Sequence, residues 1–331
     1  MGSADHSSQK LLELLGDGEL HSGAAIAAAL GVSRTAVWKQ LERLRDLGLE
    51  IHGEAGQGYR IDQPYTALDA ARIRGCLPTG ASGYLASLET LWEVDSTNSR
   101  VLELLREQPA PGATVCLAEY QTAGRGRRGR RWMSPPGCGI WLSVGWTWEV
   151  PPRELPTLSL ATGAVVAEYL DKAGATGVEL KWPNDLLLEG GKLGGILIDV
   201  QGDSAGPLTA VVGLGLNLSV PAITTAAVAA DSRALPVGLR GSGVTADRNE
   251  LAAGLCGALI DMLQDYENTG FAPYRGVWSA RDAMQGKQVI VSGGQTAEGI
   301  ALGVSEEGYL VVATAEGEVQ IGAGDVSLRA G

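Results

Sequence analysis

The spacing of apolar and polar positions in the first part of the chain predicts helices. A first helix is expected near Gln9 to Leu15. Ser22 can cap a second helix, in which Ile26 and Leu30 fall on one face. The stretch Gly31-Val-Ser33 then predicts a tight turn between this helix and the next.

The third predicted helix begins after Ser33, which can cap it, and ends at Gly48. Its apolar residues keep the 3.6-residue helical period and comprise Val37, Leu41, Leu44 and Leu47. Two short strands follow, Leu49 to His52 and Gly58 to Asp62, joined by residues 53–56. This order is typical of a winged helix-turn-helix, and the helices alone are also compatible with a plain three-helix bundle.

The rest of the chain divides into a mixed part and an all-β part. The expected strands of the mixed part are Val115–Ala118, Ile140–Val144, Leu186–Leu188, Ile196–Val200 and Ala210–Leu218. Its expected helices are Asn98–Arg106, Leu158–Lys172 and Arg248–Tyr266. From about Ala280, short strands with glycine-rich turns predict a small β-barrel. These strands are Val289–Val291, Ile300–Val304, Tyr309–Val312, Val319–Ile321 and Val326–Leu328.

Length and charge limit the possible functions. The chain has 331 residues, and we expect three domains at residues 1–64, 65–277 and 278–331. A hydrophobic content of 45% allows a large core, and a net charge of −12 argues against broad, sequence-blind nucleic-acid binding. The leader (residues 1–64) carries six Lys or Arg and nine Asp or Glu. One copy should therefore bind DNA weakly, and specific binding should need two copies on two half-sites.

The cysteines and the lack of targeting signals indicate the compartment. Cys76, Cys116, Cys138 and Cys256 are widely spaced and form no CxxC or Cys/His cluster. We therefore expect neither a zinc site nor a disulfide framework. No signal peptide and no long apolar span occur, so we expect a cytoplasmic protein without membrane association.

Candidate chemistry is concentrated in Glu119–Trp132, which sets five arginines among Gly124, Gly126 and Gly129. Glycine lets a backbone approach a ligand closely, and guanidinium groups match phosphate and carboxylate oxygens. Such a run is also compatible with a solvated surface or an Arg/Gly RNA-binding segment. The interrupting glycines and the apolar runs on both sides favour a shaped anion site between two buried strands.

A second candidate lies in residues 180–199, where two apolar runs flank a glycine-rich turn that carries Lys192. The pattern predicts a hairpin with a cation near its tip. Asn184 and Asp185 follow Pro183, which favours a turn that holds their side chains. Taken singly, Lys192 is also compatible with an exposed turn lysine, and Asp185 with a turn cap.

Five motifs together resemble the biotin–protein ligase family: Val94–Asn98, Gly124–Arg130, Lys181–Asp185, Gly191–Leu197 and Gly213–Asn217. With the leader, the chain is similar to bifunctional members that also repress biotin synthesis genes. The resemblance implies an α+β multidomain fold. It comprises an N-terminal winged helix-turn-helix, a central class II synthetase-like mixed α/β catalytic domain and a C-terminal SH3-like β-barrel.

The resemblance also implies an ATP-dependent reaction in two steps. The biotin carboxylate attacks the α-phosphorus of ATP to give biotinyl-5′-AMP, and a lysine of a biotin carboxyl carrier protein then takes the biotinyl group. Fixed cations and Mg²⁺ should offset the repulsion between the reacting anions. The family further implies a homodimer that forms on binding of the adenylate and operator DNA.

Matched positions imply individual roles for the site residues. The expected biotin contacts are Ser96, Thr97, Asn98, Gln121, Arg125, Gly126, Arg127, Trp132, Lys192, Gly194 and Gly195. The expected contacts to ATP or the adenylate are Arg128, Arg130, Asn184, Asp185 and Asn217. The expected catalytic residues among them are Arg125, Arg127, Lys192 and Asp185. The expected DNA contacts are Ser22, Ser33, Arg34, Thr35, Trp38, Lys39 and Arg43, with Arg45 beside them.

One segment departs from the family pattern. Repressor-type members carry an aromatic residue that packs on the adenine after the Gly-x-Gly-x-Asn strand, whereas Val220–Gly243 has none. Leu235 or Val237 is the expected aliphatic replacement. We further expect the adenylate to order this segment and Gly124–Arg131, and thereby to favour the dimer.

The sequence leaves three other functions open. These are a ligase whose leader represses no gene, a non-enzymatic repressor that senses a small ligand, and a ligase of the same fold for another acid such as lipoate. The Gly-Arg-Gly-Arg-Arg-Gly and Lys-Trp-Pro-Asn-Asp motifs favour biotin over lipoate.

Overall fold

The computed structural model describes residues 3–54, 56–62, 64–202, 206–229, 235–292, 296–322 and 327–330. The leader contains α1 (Ser3–Leu15), α2 (Gly23–Leu30), α3 (Arg34–Asp46), β1 (Ile51–Glu54) and β2 (Gly58–Ile61), with β1 and β2 antiparallel. Ser22 and Ser33 accept hydrogen bonds from the backbone N–H groups of Ala25 and Ala36, as expected of helix caps. Strand β1 extends to Glu54, into the stretch predicted as a turn.

The central part combines one sheet with helices on both of its faces. Its elements are α4 (Ala70–Cys76), α5 (Thr79–Ser82), β3 (Leu85–Val94), α6 (Thr97–Glu107), β4 (Ala113–Gln121), β5 (Gly139–Trp148), α7 (Leu158–Lys172), β6 (Glu179–Lys181), β7 (Asp185–Leu188), β8 (Gly191–Gly202), β9 (Leu208–Asn217), α8 (Ala222–Ala229), α9 (Arg248–Thr269) and α10 (Ala272–Ala280). The strands lie in the order β3-β4-β5-β9-β8-β7-β6. Only the β3 and β4 pair is parallel among these described strands.

Side chains alternate between the two faces of this sheet along each strand, and their contacts show which helices cover each face. Val211 packs in a small core with Val101 of α6, whereas its neighbour Val212 packs in the large core with α7 and α9. Helix α6 therefore covers one face, and α7 and α9 cover the other. The leader has a separate core, and Trp92 of β3, in the central part, packs into it.

The C-terminal part forms a five-stranded antiparallel sheet. Its strands are β10 (Gln288–Ser292), β11 (Ala297–Val304), β12 (Leu310–Thr314), β13 (Gly317–Ile321) and β14 (Ser327–Ala330), in the order β13-β12-β11-β10-β14. In the described part of the chain no ladder joins β13 to β14, so the closed barrel stays a prediction. Val326, predicted to begin the last strand, lies outside the described residues.

The hairpin that carries Lys192 differs from the prediction. Its turn consists of Glu189 and Gly190, both with positive φ (51° and 76°), and Lys192 is already the second residue of β8. Two residues with positive φ are enough for a tight hairpin turn. The predicted glycine-rich turn is therefore wrong, and the following glycines belong to a strand.

Several elements had no clear local signal. Strand β3 and helices α4, α8 and α10 were not predicted, and α10 crosses the expected domain boundary at residue 277. In the described ranges, no helix is both long enough and apolar enough to traverse a lipid bilayer.

Candidate active site

A cavity of about 280 Å³ lies beside the central sheet. The start of α6, the end of β4, the segment that follows β4, strands β7 to β9 and helix α8 contribute to its wall. Arg125 and Lys192 both line it, so the two cationic motifs meet at one site. The predicted site residues in its lining are Ser96, Thr97, Asn98, Gln121, Arg125, Gly126, Arg127, Arg128, Arg130, Trp132, Asn184, Asp185, Lys192, Gly195 and Asn217.

The arginine-rich segment is a folded loop rather than a loose tail. The backbone N–H of Gly126 donates to the Arg130 carbonyl oxygen at 2.7 Å, and that of Trp132 donates to Gly124 at 2.8 Å. Arg128 sits in the left-handed region with φ of 62°. These hydrogen bonds close the loop on itself, and the five arginines of the loop line the cavity.

Lys192 lies on the cavity wall beside a carboxylate and an aromatic ring. Its ammonium donates to Asp185 Oδ1 at 2.6 Å and lies 5.7 Å from the centroid of the Trp132 ring. The Lys192 side chain is 30% exposed, so it is not the freely exposed turn lysine of the simpler interpretation. A ligand phosphate that approaches this ammonium would compete with Asp185 for it.

The backbone of Lys192 holds the segment that follows β9 and α8. Its N–H donates to Leu235 O at 2.8 Å, and Val237 N–H donates to Lys192 O at 3.0 Å. The side-chain amide of Asn217 also donates to Lys192 O, at 3.3 Å. The segment that departs from the family pattern is thus attached directly to the strand that carries the lysine.

The opposite end of the cavity contains a polar network around Asn98. The Asn98 amide nitrogen donates to Asp199 Oδ2 at 2.9 Å and to Leu197 O at 3.3 Å. Ser143 donates to Asn98 Oδ1 at 2.6 Å, and its hydroxyl oxygen lies 2.7 Å from that of Thr97. Both amide protons of Asn98 are therefore used within the protein.

Arg125 and Gln121 complete this end of the cavity. Arg125 donates to Ser99 Oγ at 3.1 Å and lies 3.8 Å from Asp199 Oδ2. Gln121 Oε1 accepts from the Thr97 backbone N–H at 2.9 Å, and its amide nitrogen donates to Ser134 Oγ at 3.4 Å. Preformed contacts of this kind hold polar side chains in place before a ligand arrives.

The charge of the cavity is opposite to that of the whole protein. Its lining contains five arginines of the loop, Lys181 and Lys192, against a single carboxylate, Asp185, among the described residues. The chain as a whole carries a net charge of −12. The cavity therefore attracts anions, and its polar end suits an uncharged group with several hydrogen-bonding atoms.

Three family models match the chain. The "HTH domain" model matches residues 7–60, and the "Biotin/lipoate A/B protein ligase family" model matches residues 92–217. The "Biotin protein ligase C terminal domain" model matches residues 286–329. The three matches follow one another in the order predicted for the leader, the central part and the C-terminal part.

Curated relatives match over nearly the whole length. Bifunctional ligase/repressor BirA of Escherichia coli strain K12 is 38% identical over 304 residues, which cover 92% of this chain and 91% of that protein. The protein of the same name from Bacillus subtilis strain 168 is 31% identical over 318 residues and 94% of each chain. The chain belongs to the biotin protein ligase family.

A solved member of the biotin protein ligase family has a similar fold. The biotin protein ligase from Aquifex aeolicus, in complex with biotin and ATP, aligns with a TM-score of 0.61 at 29% identity. The alignment covers 74% of this chain and 100% of that one. The family predicted from the five motifs is thereby confirmed, as is the presence of a helix-turn-helix leader.

The structure disagrees with the sequence analysis at three positions around the cavity. Gly194 does not line it, because alternation along β8 turns this residue toward the Gly215 carbonyl oxygen of β9. Leu235 is 53% exposed and Val237 packs against Gly191, so neither takes the expected position on the cavity wall. Residues 230–234 of the expected mobile segment lie outside the described residues.

Other residues around the cavity were missed by the sequence analysis. Asp199 and Ser143 hold Asn98, and Thr224 and Pro236 contribute to the wall. No motif identified them, since the sequence signal for a ligand site was confined to charged and glycine-rich runs. One sequence feature could have indicated them: a polar residue inside an otherwise apolar strand, such as Ser143 in β5.

The leader presents only part of the predicted DNA surface. Arg34, Thr35 and Lys39 are exposed on α3, and Trp38 is 53% exposed. Two further arginines are paired within the protein: Arg43 Nη2 lies 3.4 Å from Glu93 Oε2, and Arg45 donates to Glu42 and to Ile51 O. Ser22 and Ser33 act as helix caps.

Proposed function

We propose that this protein joins biotin to a lysine of a biotin carboxyl carrier protein through biotinyl-5′-AMP, and that its leader represses biotin synthesis genes. The observation that carries the ligase function is the meeting of Arg125 and Lys192 on one cationic cavity in an otherwise acidic chain. The polar network around Asn98 supports binding of the biotin ureido ring at the same cavity.

In the first step, an anionic carboxylate attacks the α-phosphorus of an anionic nucleotide, and pyrophosphate leaves. Lys192 and the arginines of the loop reduce the repulsion between these groups, because their charges are already in place. Lys192 exchanges its contact with Asp185 for the carboxylate and phosphate oxygens of the reactants. Arg125 and Arg127 close over the ligand from the loop.

In the second step, the ε-amine of the carrier lysine attacks the carbonyl carbon of the mixed anhydride, and AMP leaves. The same cations stabilise the charge that develops on the departing phosphate. The loop from Gly124 to Arg131 lies at the mouth of the cavity and shields the anhydride from water until the carrier arrives.

The polar end of the cavity binds the biotin ring system. Ser96, Thr97 and Gln121 offer hydroxyl and amide groups to the ureido and neighbouring atoms, and Trp132 supplies an apolar wall. Asn98 acts mainly by positioning Thr97 through Ser143, since its own amide protons are bound to Asp199 and Leu197.

A magnesium ion fits the nucleotide end of the cavity. Mg²⁺ in nucleotide sites is commonly held by one or two carboxylates together with the substrate phosphates. Asp185 supplies one such carboxylate, and Asn184 is held beside it by donating to Ile196 O at 2.8 Å. The ion would neutralise phosphate charge, while Asp185 would also orient Lys192.

The ligase function is tested by mass spectrometry of a biotin carboxyl carrier domain incubated with the protein, biotin and ATP. We expect the carrier to gain one biotinyl group, and we expect no gain without ATP. Lipoate supplied in place of biotin serves as the control for the related activity. A carrier whose mass stays unchanged with biotin, or changes only with lipoate, would refute the assignment.

Replacing Gly213 by alanine should weaken biotin binding selectively. A Cβ at this position would clash with Asn98 Oδ1, in the middle of the polar network. We expect the KM for biotin to rise by about tenfold or more, with a smaller change for ATP. Gly75→Ala is the matched control, because a Cβ there meets no atom within 4 Å. Equal KM values for biotin in the two variants would contradict the positioning role of Asn98.

The exposed side chains of α3 and the hairpin after it support the proposed DNA-binding function of the leader. We assign β1 and β2 as the wing of a winged helix-turn-helix and α3 as the recognition helix. Two leaders, brought together in a homodimer that the adenylate favours, would bind two half-sites. The C-terminal sheet is assigned as an SH3-like domain, and the cytoplasm as the site of action.

A gel-shift titration with operator DNA tests the repressor function. We expect biotin and ATP together to tighten binding, and we expect Arg34→Ala or Lys39→Ala to weaken it at every salt concentration while reducing the salt dependence by about one phosphate contact. Lys10→Ala, on α1, is the control. Binding that does not change with biotin and ATP would contradict the biotin-responsive repression, and no operator binding at all would leave a ligase whose leader represses no gene.

A further inference from the structure

Helix α8 (Ala222–Ala229) places one residue, Thr224, on the wall of the cavity. Thr224 is 8% exposed and was not identified from the sequence. The helix follows β9 directly, and the backbone N–H of Ala222 donates to the carboxylate of Glu50 in the leader at 2.8 Å. This contact and the attachment of the downstream segment to Lys192 hold the region against the cavity.

The hydroxyl group of Thr224 has no hydrogen-bond partner among the described residues, although it is buried. A threonine in a helix commonly donates to the carbonyl oxygen of the preceding turn, as Thr162 does to Leu158 in α7. Buried polar groups without partners are rare, and each calls for an explanation such as an absent ligand. The indole N–H of Trp132, on the same wall, is also buried without a partner in the described part of the chain.

Strand β9 gives the order of the groups along the cavity wall. Gly213 lies against Asn98, Gly215 lies against the Trp132 ring, and Asn217 binds the Lys192 carbonyl oxygen. These positions extend over roughly 13 Å along the strand. The cavity wall therefore runs from the polar biotin end, past the indole, to the lysine. Thr224 comes from the helix after the last of these positions.

We infer that the Thr224 hydroxyl forms a hydrogen bond with the nucleoside part of ATP. The inference rests on the proposed function, since it takes biotin to bind at the Asn98 end and the α-phosphate to bind at Lys192. The Thr224 oxygen is buried in this conformation, so the contact requires rotation about the Cα–Cβ bond to turn the hydroxyl toward the cavity that Thr224 lines. The contact takes the place of the aromatic residue that Val220–Gly243 lacks, and it replaces stacking by a directional bond.

The test compares Thr224→Val with Thr224→Ser, using biotin-dependent pyrophosphate release by the full chain. Valine keeps the shape of threonine and removes the hydroxyl, whereas serine keeps the hydroxyl. We expect Thr224→Val to raise the KM for ATP by about tenfold and to change the KM for biotin by less than about threefold. Thr224→Ser should restore most of the affinity for ATP. Thr225→Val, at the half-buried neighbouring threonine of α8, is the matched control and should behave as the unmodified protein.

Two results would overturn the inference: an unchanged KM for ATP in Thr224→Val, or an equal rise in both KM values. The second would indicate that Thr224 only supports the local structure. Thermal melting of each variant verifies folding, and Thr224→Ala provides a second hydroxyl-free variant if the valine variant does not fold. An unmodified protein that releases no pyrophosphate with biotin and ATP would instead refute the proposed function, so the two failures can be distinguished.

Discussion

Lys192→Met is expected to slow biotin-dependent pyrophosphate release by about 10²–10³-fold, the usual effect of removing one charged or hydrogen-bonding donor from a developing anion. Methionine is similar in length and retains contact with the apolar surface of Trp132. The change therefore removes the ammonium while conserving much of the packing. It also leaves Asp185 without its cation, which adds repulsion toward the phosphates.

The measurement is the kcat and kcat/KM of the first step at saturating biotin and varied ATP. Lys172→Met is the matched control, because Lys172 is a 71% exposed lysine at the end of α7 that pairs only with the exposed Glu168 among the described residues. We expect this control to keep the rate of the unmodified protein. A loss of less than about threefold in Lys192→Met would mean that the lysine does not act on the reacting phosphate.

Arg248→Met is expected to lower the free energy of unfolding by about 3–5 kcal/mol, the typical cost of leaving a buried charge without its partner. Arg248 Nη1 lies 2.5 Å from Glu119 Oε2, and the two side chains are only 5% and 3% exposed. Arg248 also donates to the carbonyl oxygens of Gly139 and Thr66. Its loss would leave the Glu119 carboxylate buried at the end of β4.

The position of Arg248 shows that it stabilises tertiary contacts rather than its own helix. It is the first residue of α9, where a positive charge opposes the helix dipole. Glu119 Oε1 in turn accepts from the Leu68 backbone N–H. The pair thus joins the segment after the leader to β4, β5 and α9, and it supports the strand that leads into the arginine loop.

Urea unfolding followed by tryptophan fluorescence measures this effect. Arg275→Met is the control, because its pair with Glu306 is exposed (41% and 81%) and should contribute about 0–1 kcal/mol. The double variant Arg248→Met with Glu119→Leu should recover part of the lost stability, since no unpaired charge is then buried. A double variant less stable than Arg248→Met alone would contradict this explanation.

Local signals in the chain were enough for much of the fold. The caps at Ser22 and Ser33 and the bounds of α7 agree with the prediction, because each depends on residues within a turn or two of helix. Helix α8 was not predicted because Val220–Gly243, rich in alanine, threonine, glycine and proline, has no clear amphipathic period. The exposed-turn interpretation of Lys192 failed because a strand pairing, not the local glycine content, sets where the hairpin turns.

The sequence by itself determined the family and the reaction class, because each motif keeps its charged groups and glycines together within a few residues of chain. Only the tertiary structure decided how the motifs combine into a site. The hydrogen bond from Asn98 to Asp199 joins residues 101 positions apart, and alternation along β8 places Gly195 at the cavity and Gly194 away from it. Such contacts depend on the order and register of strands, which short-range patterns do not encode.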